Sequence, residues 1–238
     1  MIETLKMLKA TQGTKTLICF PFAGGYSPSY RPLSQAIESN WDIFAVEPPG
    51  HGTNISPLIN NIIKQVELYE EILLERFSNQ SFALFGHSMG GIIVYELTQR
   101  LEKRGVYPEV IFISGIVPPH YKKRKVSHLN DDELLEYIES LGGLSQEILQ
   151  EKELLEYFLP IFRNDFFAVE SHVYDCSRII ETPTHIFSGE NDPFATPKIM
   201  KEWEKYLKKT TFHVFDGGHM FPLTNATGVG SILNKCLM

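Results

Sequence analysis

The sequence predicts an α/β fold, a mainly parallel sheet covered by helices on both faces. Three observations carry this. Short apolar runs rich in β-branched and aromatic residues recur along the chain, segments of helical period separate them, and most runs end in Gly, Pro or Ser. The 238 residues suit one α/β domain able to bury a substantial core.

In chain order, Thr16–Phe20, Ile43–Val46, Phe82–Phe85, Val110–Ser114, His185–Ser188 and Phe212–Phe215 read as strands. Ile59, Ile62, Ile63, Val66, Tyr69, Ile72 and Leu73 recur at helical spacing, and Gly91–Lys103 reads as a further helix. From about Asp131 to Val173 helical patterns follow one another with no strand between them. Such an insertion, spanning about residues 120–175 of a single domain 1–238, is expected to lie as a lid over the carboxyl ends of the strands, where open α/β sheets bind their ligands. The alternative is a set of extra helices packed elsewhere.

Composition excludes several classes. A hydrophobic fraction of 43% and a charged fraction of 21% are those of a globular protein, and no apolar run approaches the ~20 residues that span a bilayer. The start, Met1-Ile2-Glu3-Thr4-Leu5-Lys6, has no secretory pattern. Cys19, Cys176 and Cys236 are odd in number and scattered, which argues against a disulfide framework or a zinc site and fits the cytoplasm. A formal net charge of −7 argues against non-specific nucleic-acid binding. No membrane association is expected, nor any metal or cofactor, and a monomer is.

The chemistry is carried by Gly86-His87-Ser88-Met89-Gly90, a G-x-S-x-G pattern between a strand and a helix. A nucleophilic serine must project from a sharp, strained strand-to-helix turn, and flanking glycines remove the Cβ atoms that would clash there. The helix that follows directs its first amide groups at the reaction centre. A serine hydroxyl needs a base, and this arrangement calls for the order serine, acid, histidine. Asp192 lies in a turn after the strand His185–Ser188, and His219 lies on the loop Asp216–Phe221 after the last strand. His219 is expected to take the Ser88 proton and Asp192 to hold the imidazole. His51, His87, His120, His172, His185 and His213 precede the acid or sit in strands. Glu190 and Asp216 are the rival acids, the first early in its turn and the second close enough to His219 to shape the loop instead. For an oxyanion hole, the amide of Met89 and one from Phe20-Pro21-Phe22-Ala23-Gly24-Gly25 are the candidates, with Ala23 the expected second donor; the alternative for that stretch is a plain glycine turn.

Four motifs extend the pattern: Phe20–Gly25, Glu47-Pro48-Pro49-Gly50-His51-Gly52, Phe85–Gly91 and Phe215–Phe221. Together they resemble the type II thioesterases, α/β-hydrolases that accompany non-ribosomal peptide and polyketide synthetases. The similarity is closest to the accessory thioesterases of surfactin and gramicidin synthetases and spans nearly the whole chain. The resemblance implies hydrolysis of acyl or aminoacyl thioesters on the 4′-phosphopantetheine arm of a carrier domain, which clears mis-primed arms. It implies Ser88, Asp192 and His219 as the triad and Ala23 and Met89 as oxyanion donors. It matches the insertion only loosely. No carrier domain is fused in the sequence, so the arm is expected to arrive on another protein. Tyr121-Lys122-Lys123-Arg124-Lys125 reads either as a solvated loop or as a surface that meets an acidic carrier domain. The rival functions are a carboxylesterase, lipase or acyl-CoA thioesterase with the same triad, and a non-catalytic carrier-binding module.

Overall fold

The computed structural model describes residues 4–142 and 151–238. Seven strands form one sheet: β1 (Leu5–Lys9), β2 (Lys15–Phe20), β3 (Trp41–Val46), β4 (Ser81–His87), β5 (Ile111–Ser114), β6 (Thr184–Gly189) and β7 (Thr210–Phe215). Their order is β1-β3-β2-β4-β5-β6-β7, with β1 antiparallel to β3 and the other pairs parallel. All six strands expected from the apolar runs are present. The edge strand β1 was not anticipated, because Leu5-Lys6-Met7-Leu8-Lys9 alternates lysine with apolar residues and buries only Leu5 fully.

Helices α1 (Arg31–Ala36), α2 (Ile62–Phe77), α3 (Met89–Lys103), α4 (Asp131–Leu141), α5 (Lys152–Ser171), α6 (Pro197–Met200), α7 (Phe221–Thr224) and α8 (Ala226–Cys236) fill the connections. The expected helix from Ile59 begins at Ile62 instead, because the Asn61 side chain accepts the Lys64 amide at 3.0 Å and caps it there.

The two-residue period of the strands sorts the core into two layers. Ile18, Phe20, Phe44, Val46, Leu84, Ile111 and Ile113 pack with Val66, Tyr69, Leu73, Ile92, Ile93 and Leu97 of α2 and α3. Leu17, Cys19, Ile43, Ala45, Ala83, Phe85 and Phe112 pack on the other face with Leu33 of α1 and Val229 and Leu233 of α8. Burial on both faces is why these strands read as unbroken apolar runs.

Chain order reverses at β2, whose neighbours are β3 on one side and β4 on the other. A ligand crevice is expected at such a switch point, outside the carboxyl ends of the strands. The register there pairs Phe20 with Gly86, so the loops after β2 and β4 emerge side by side.

Between β5 and β6 the chain leaves the sheet to form α4 and α5. Asn130 and Glu133 make a capping box at the start of α4, and Gly142, at φ +74°, ends it. The expectation for residues 143–150 lies outside the described residues.

Candidate active site

Ser88 joins β4 to α3 with φ 54° and ψ −116°, and is the one non-glycine residue at positive φ among the described residues. Backbone strain at a serine of this kind needs surroundings that hold it. The two glycines of the motif supply the room: a Cβ on Gly86 would lie 2.0 Å from the Gly90 carbonyl oxygen, and one on Gly90 would lie 2.0 Å from that of Phe20. The second contact also draws the loop after β2 against the first turn of α3. Ser88 is anchored by its own amide, which donates to the Ser114 carbonyl at 2.8 Å.

The turns after β6 and β7 are knitted through their main chains. The Glu190 amide donates to the Phe215 carbonyl at 2.8 Å, and the Asn191 amide donates to that of Gly217 at 2.9 Å. Between them the His219 Nδ1–H donates to Asp192 Oδ2 at 2.8 Å. The other oxygen, Asp192 Oδ1, accepts the amides of Phe194 and Ala195, each at 2.9 Å. Burial of Asp192 opposes its ionisation, yet the bonds from His219 and these two amides outweigh it and hold the carboxyl below its ordinary range. The rival acids Glu190 and Asp216 are both exposed, whereas Asp192 is buried.

Ser88, His219 and Ala23 line one cavity of about 320 Å³, together with Tyr137, Phe166 and Val169 of the insertion. Side chains of α4 and α5 thus share this cavity with Ser88 and His219. Met89 is fully buried at the first position of α3, where a helix amide has no partner within its own helix. His87 is also fully buried, with Nδ1 2.9 Å from Ser114 Oγ and its ring 5.1 Å from that of His219. Burial, followed by the nearby His219, pushes its pKa well below the ordinary value, so His87 packs beside His219 as a neutral ring.

One residue of the site was not singled out from the sequence. Asp165 of α5 is fully buried, and its Oδ2 accepts both the Gly24 amide, at 2.8 Å, and His51 Nε2, at 2.9 Å. A lone carboxylate at helical spacing among Ile161, Phe162, Ala168 and Val169 was the available signal, since charged residues seldom sit on a buried face without a partner. The basic run also differs from its reading as one solvated patch. Lys123 turns inward and donates to the carbonyls of Val169 and His172 at 2.9 and 2.8 Å, and burial lowers its pKa to about 8. Lys122, Arg124 and Lys125 remain exposed.

The family profile of the thioesterase domain matches residues 15–237. The chain belongs to the thioesterase family. It is 28% identical over 227 residues to a probable cadicidin biosynthesis thioesterase of Streptomyces griseus, covering 93% of this chain and 62% of that protein. The gramicidin S biosynthesis protein GrsT of Aneurinibacillus migulanus is 28% identical over 210 residues, covering 86% of this chain and 82% of the relative. Among solved structures, YbtT, a type II thioesterase from the yersiniabactin pathway, superposes with a TM-score of 0.88 at 30% identity, covering 98% of both chains. Like these relatives, the thioesterase chain has an α/β-hydrolase architecture. Among the described residues no helix is long and apolar enough to cross a membrane, and no group of three His, Cys, Asp or Glu side chains could hold a metal ion.

Proposed function

We propose that this thioesterase is a stand-alone editing enzyme that hydrolyses acyl or aminoacyl thioesters from the 4′-phosphopantetheine arm of carrier domains and so returns mis-primed synthetases to use. The observation that carries the reading is the His219–Asp192 pair, whose histidine lines the same cavity as a strained Ser88, together with side chains of α4 and α5. A relative named for gramicidin S biosynthesis and a type II thioesterase of the yersiniabactin NRPS/PKS pathway support the substrate class.

In this reading His219 Nε2 takes the proton of Ser88 Oγ as the oxygen attacks the thioester carbonyl. The amides of Ala23 and Met89 hold the resulting oxyanion. Collapse expels the thiolate of the arm, which takes the proton back from His219. Water then attacks the acyl-serine with His219 as base, releasing the carboxylic acid and free Ser88. Asp192 stays ionised throughout and stabilises the imidazolium. A thiol is a good leaving group, so the demanding step is deacylation. The covering helices α4 and α5 act as a lid that frames the channel for the arm.

The test is to load a holo-carrier with acetyl, aminoacyl or longer acyl groups and follow the arm by intact mass after adding enzyme. Loss of the acyl mass with the parent protein and its persistence with Ser88→Ala is the expected result. Unchanged masses with the parent, alongside rapid turnover of free esters or acyl-CoA, favour a general esterase instead. Docking is checked with the exposed lysines alone. Lys122→Glu with Lys125→Glu is expected to raise KM for the carrier-bound substrate about fivefold and to leave a small soluble thioester unaffected.

A further inference from the structure

The turn that carries Ala23 is held from the insertion. Phe22 and Gly25 close it with a 2.8 Å main-chain bond, and Gly24 within it has φ +74°. Its next amide, that of Gly24, points to the Asp165 carboxylate on α5. Phe162, one turn earlier on the same helix face, packs so tightly that a Cβ on Gly24 would lie 2.3 Å from its ring. Asp165 has further ties: Oδ1 accepts the Asn164 side-chain amide at 3.1 Å, and Oδ2 also meets His51 Nε2. The His51 Nδ1 faces the Pro49 carbonyl at 3.0 Å. A carbonyl can only accept and the carboxylate accepts as well, so both ring nitrogens carry protons and His51 is an imidazolium. Both partners of this ion pair are nearly inaccessible, with side-chain exposures of 3% and 0%.

An apolar side chain would fill this place without the desolvation cost of an ion pair, and such replacements are often neutral or stabilising. Packing alone therefore gives no reason for a carboxylate here. The main chain of the oxyanion turn does, because the amide held by Asp165 belongs to the peptide next to the one that bears the Ala23 N–H. Fixing one plane narrows the directions open to its neighbour, because only φ and ψ of Ala23 lie between the two.

We infer that Asp165, oriented by His51, is a positioning residue that aims the Ala23 amide at the oxyanion, so that the oxyanion hole is complete only when the insertion helix α5 is seated on the turn Phe22–Gly25. The inference rests on the reading of Ser88 as nucleophile and of Ala23 as oxyanion donor.

Two paired variants test it. His51→Leu with Asp165→Leu replaces the ion pair by apolar groups and removes the acceptor for Gly24. His51→Gln with Asp165→Asn removes the charges but keeps an acceptor. Losing a whole oxyanion donor costs on the order of a hundredfold in rate, so misdirecting one is expected to lower kcat of the leucine pair at least tenfold below that of the amide pair. KM for a small soluble thioester is expected to stay within about twofold in both, and the rate of Ser88 labelling by a fluorophosphonate, whose phosphoryl oxygen sits in the same hole, should fall in step with kcat. A merely structural role would instead move melting temperature and leave kcat of the folded fraction alike in the two pairs; equal kcat values overturn the inference. Should the leucine pair fail to fold, His51→Gln with Asp165→Ala takes its place under the same criterion. The parent protein separates the two levels: if it is not labelled at Ser88, the nucleophile reading itself fails, whereas labelled parent with indistinguishable pairs removes only the role of Asp165.

Discussion

The strand ends that carry Ser88, Asp192 and His219 and the helical insertion above them are built by different means. The strand ends are fixed through main chain: the Ser88 amide on Ser114, the Glu190 amide on Phe215 and the Asn191 amide on Gly217, with Gly86, Gly90 and Gly189 where a Cβ would meet a neighbouring carbonyl oxygen at 2.0–2.4 Å. The insertion is fixed through side chains. Arg163 donates to the carbonyl of Leu129 and to Asp131, Glu170 accepts the amides of Val126 and Ser127, Lys123 reaches the end of α5, and Asp165 reaches the turn Phe22–Gly25. Main-chain bonds and missing Cβ atoms leave little room to move. Side-chain ties are individually worth about 1 kcal/mol and can be broken one at a time, which is what the proposed cover over a substrate channel needs.

Substitutions at the strand ends should have the largest effects. Asp192→Asn keeps the shape but leaves His219 without an anionic partner, and kcat is expected to fall by about 10⁴ with little change in KM, read from steady-state kinetics. A loss under tenfold would break the assignment of the acid. Gly90→Ala comes next. Its Cβ would meet the Phe20 carbonyl at 2.0 Å, and backbone cannot yield as a flexible side chain does. A loss of about 2–3 kcal/mol of stability, together with at least a tenfold loss of Ser88 labelling, is expected from denaturant unfolding and probe kinetics.

Arg163→Ala probes the insertion. It removes the ties to Leu129 and Asp131, and should cost about 1 kcal/mol, with faster hydrogen exchange confined to α4 and the segment 123–130. Equal loss of protection across β4 and α3 would erase the distinction between the two regions. The smallest effect concerns pH. Burial alone would lower the His51 pKa, but Asp165, aided by the Pro49 carbonyl and by Glu47, raises it above the ordinary 6.5. A raised value in the folded state means that the stabilisation is complete below about pH 6.5 and is lost as pH climbs through the folded value. The gap in melting temperature between the parent and His51→Gln is therefore expected to narrow from about pH 6 to about pH 9, by a few degrees at most. A gap that widens would show that His51 is neutral in the pair.

Reading the sequence singled out Ser88, Asp192 and His219 because each is announced locally: a glycine pattern at a strand end, a turn after the next strand but one, a Gly-Gly-His loop after the last. It did not find Asp165 or the role of His51, which stand 114 positions apart and meet only because α5 folds back over the loops after β2 and β3. Nor did it separate Lys123 from its neighbours in Tyr121–Lys125, since a run of charges looks uniform until one member is drawn under a helix end.

By itself, then, the order of residues determined the alternation of strands and helices, the strained turn at Ser88 and the chain order of acid and base, because periodicity, glycine placement and turn chemistry act over a few residues. Tertiary structure alone decided which buried carboxylate faces the turn Phe22–Gly25 and which lysine is withdrawn from solvent. Those outcomes depend on contacts between segments far apart in the chain, and no local preference encodes them.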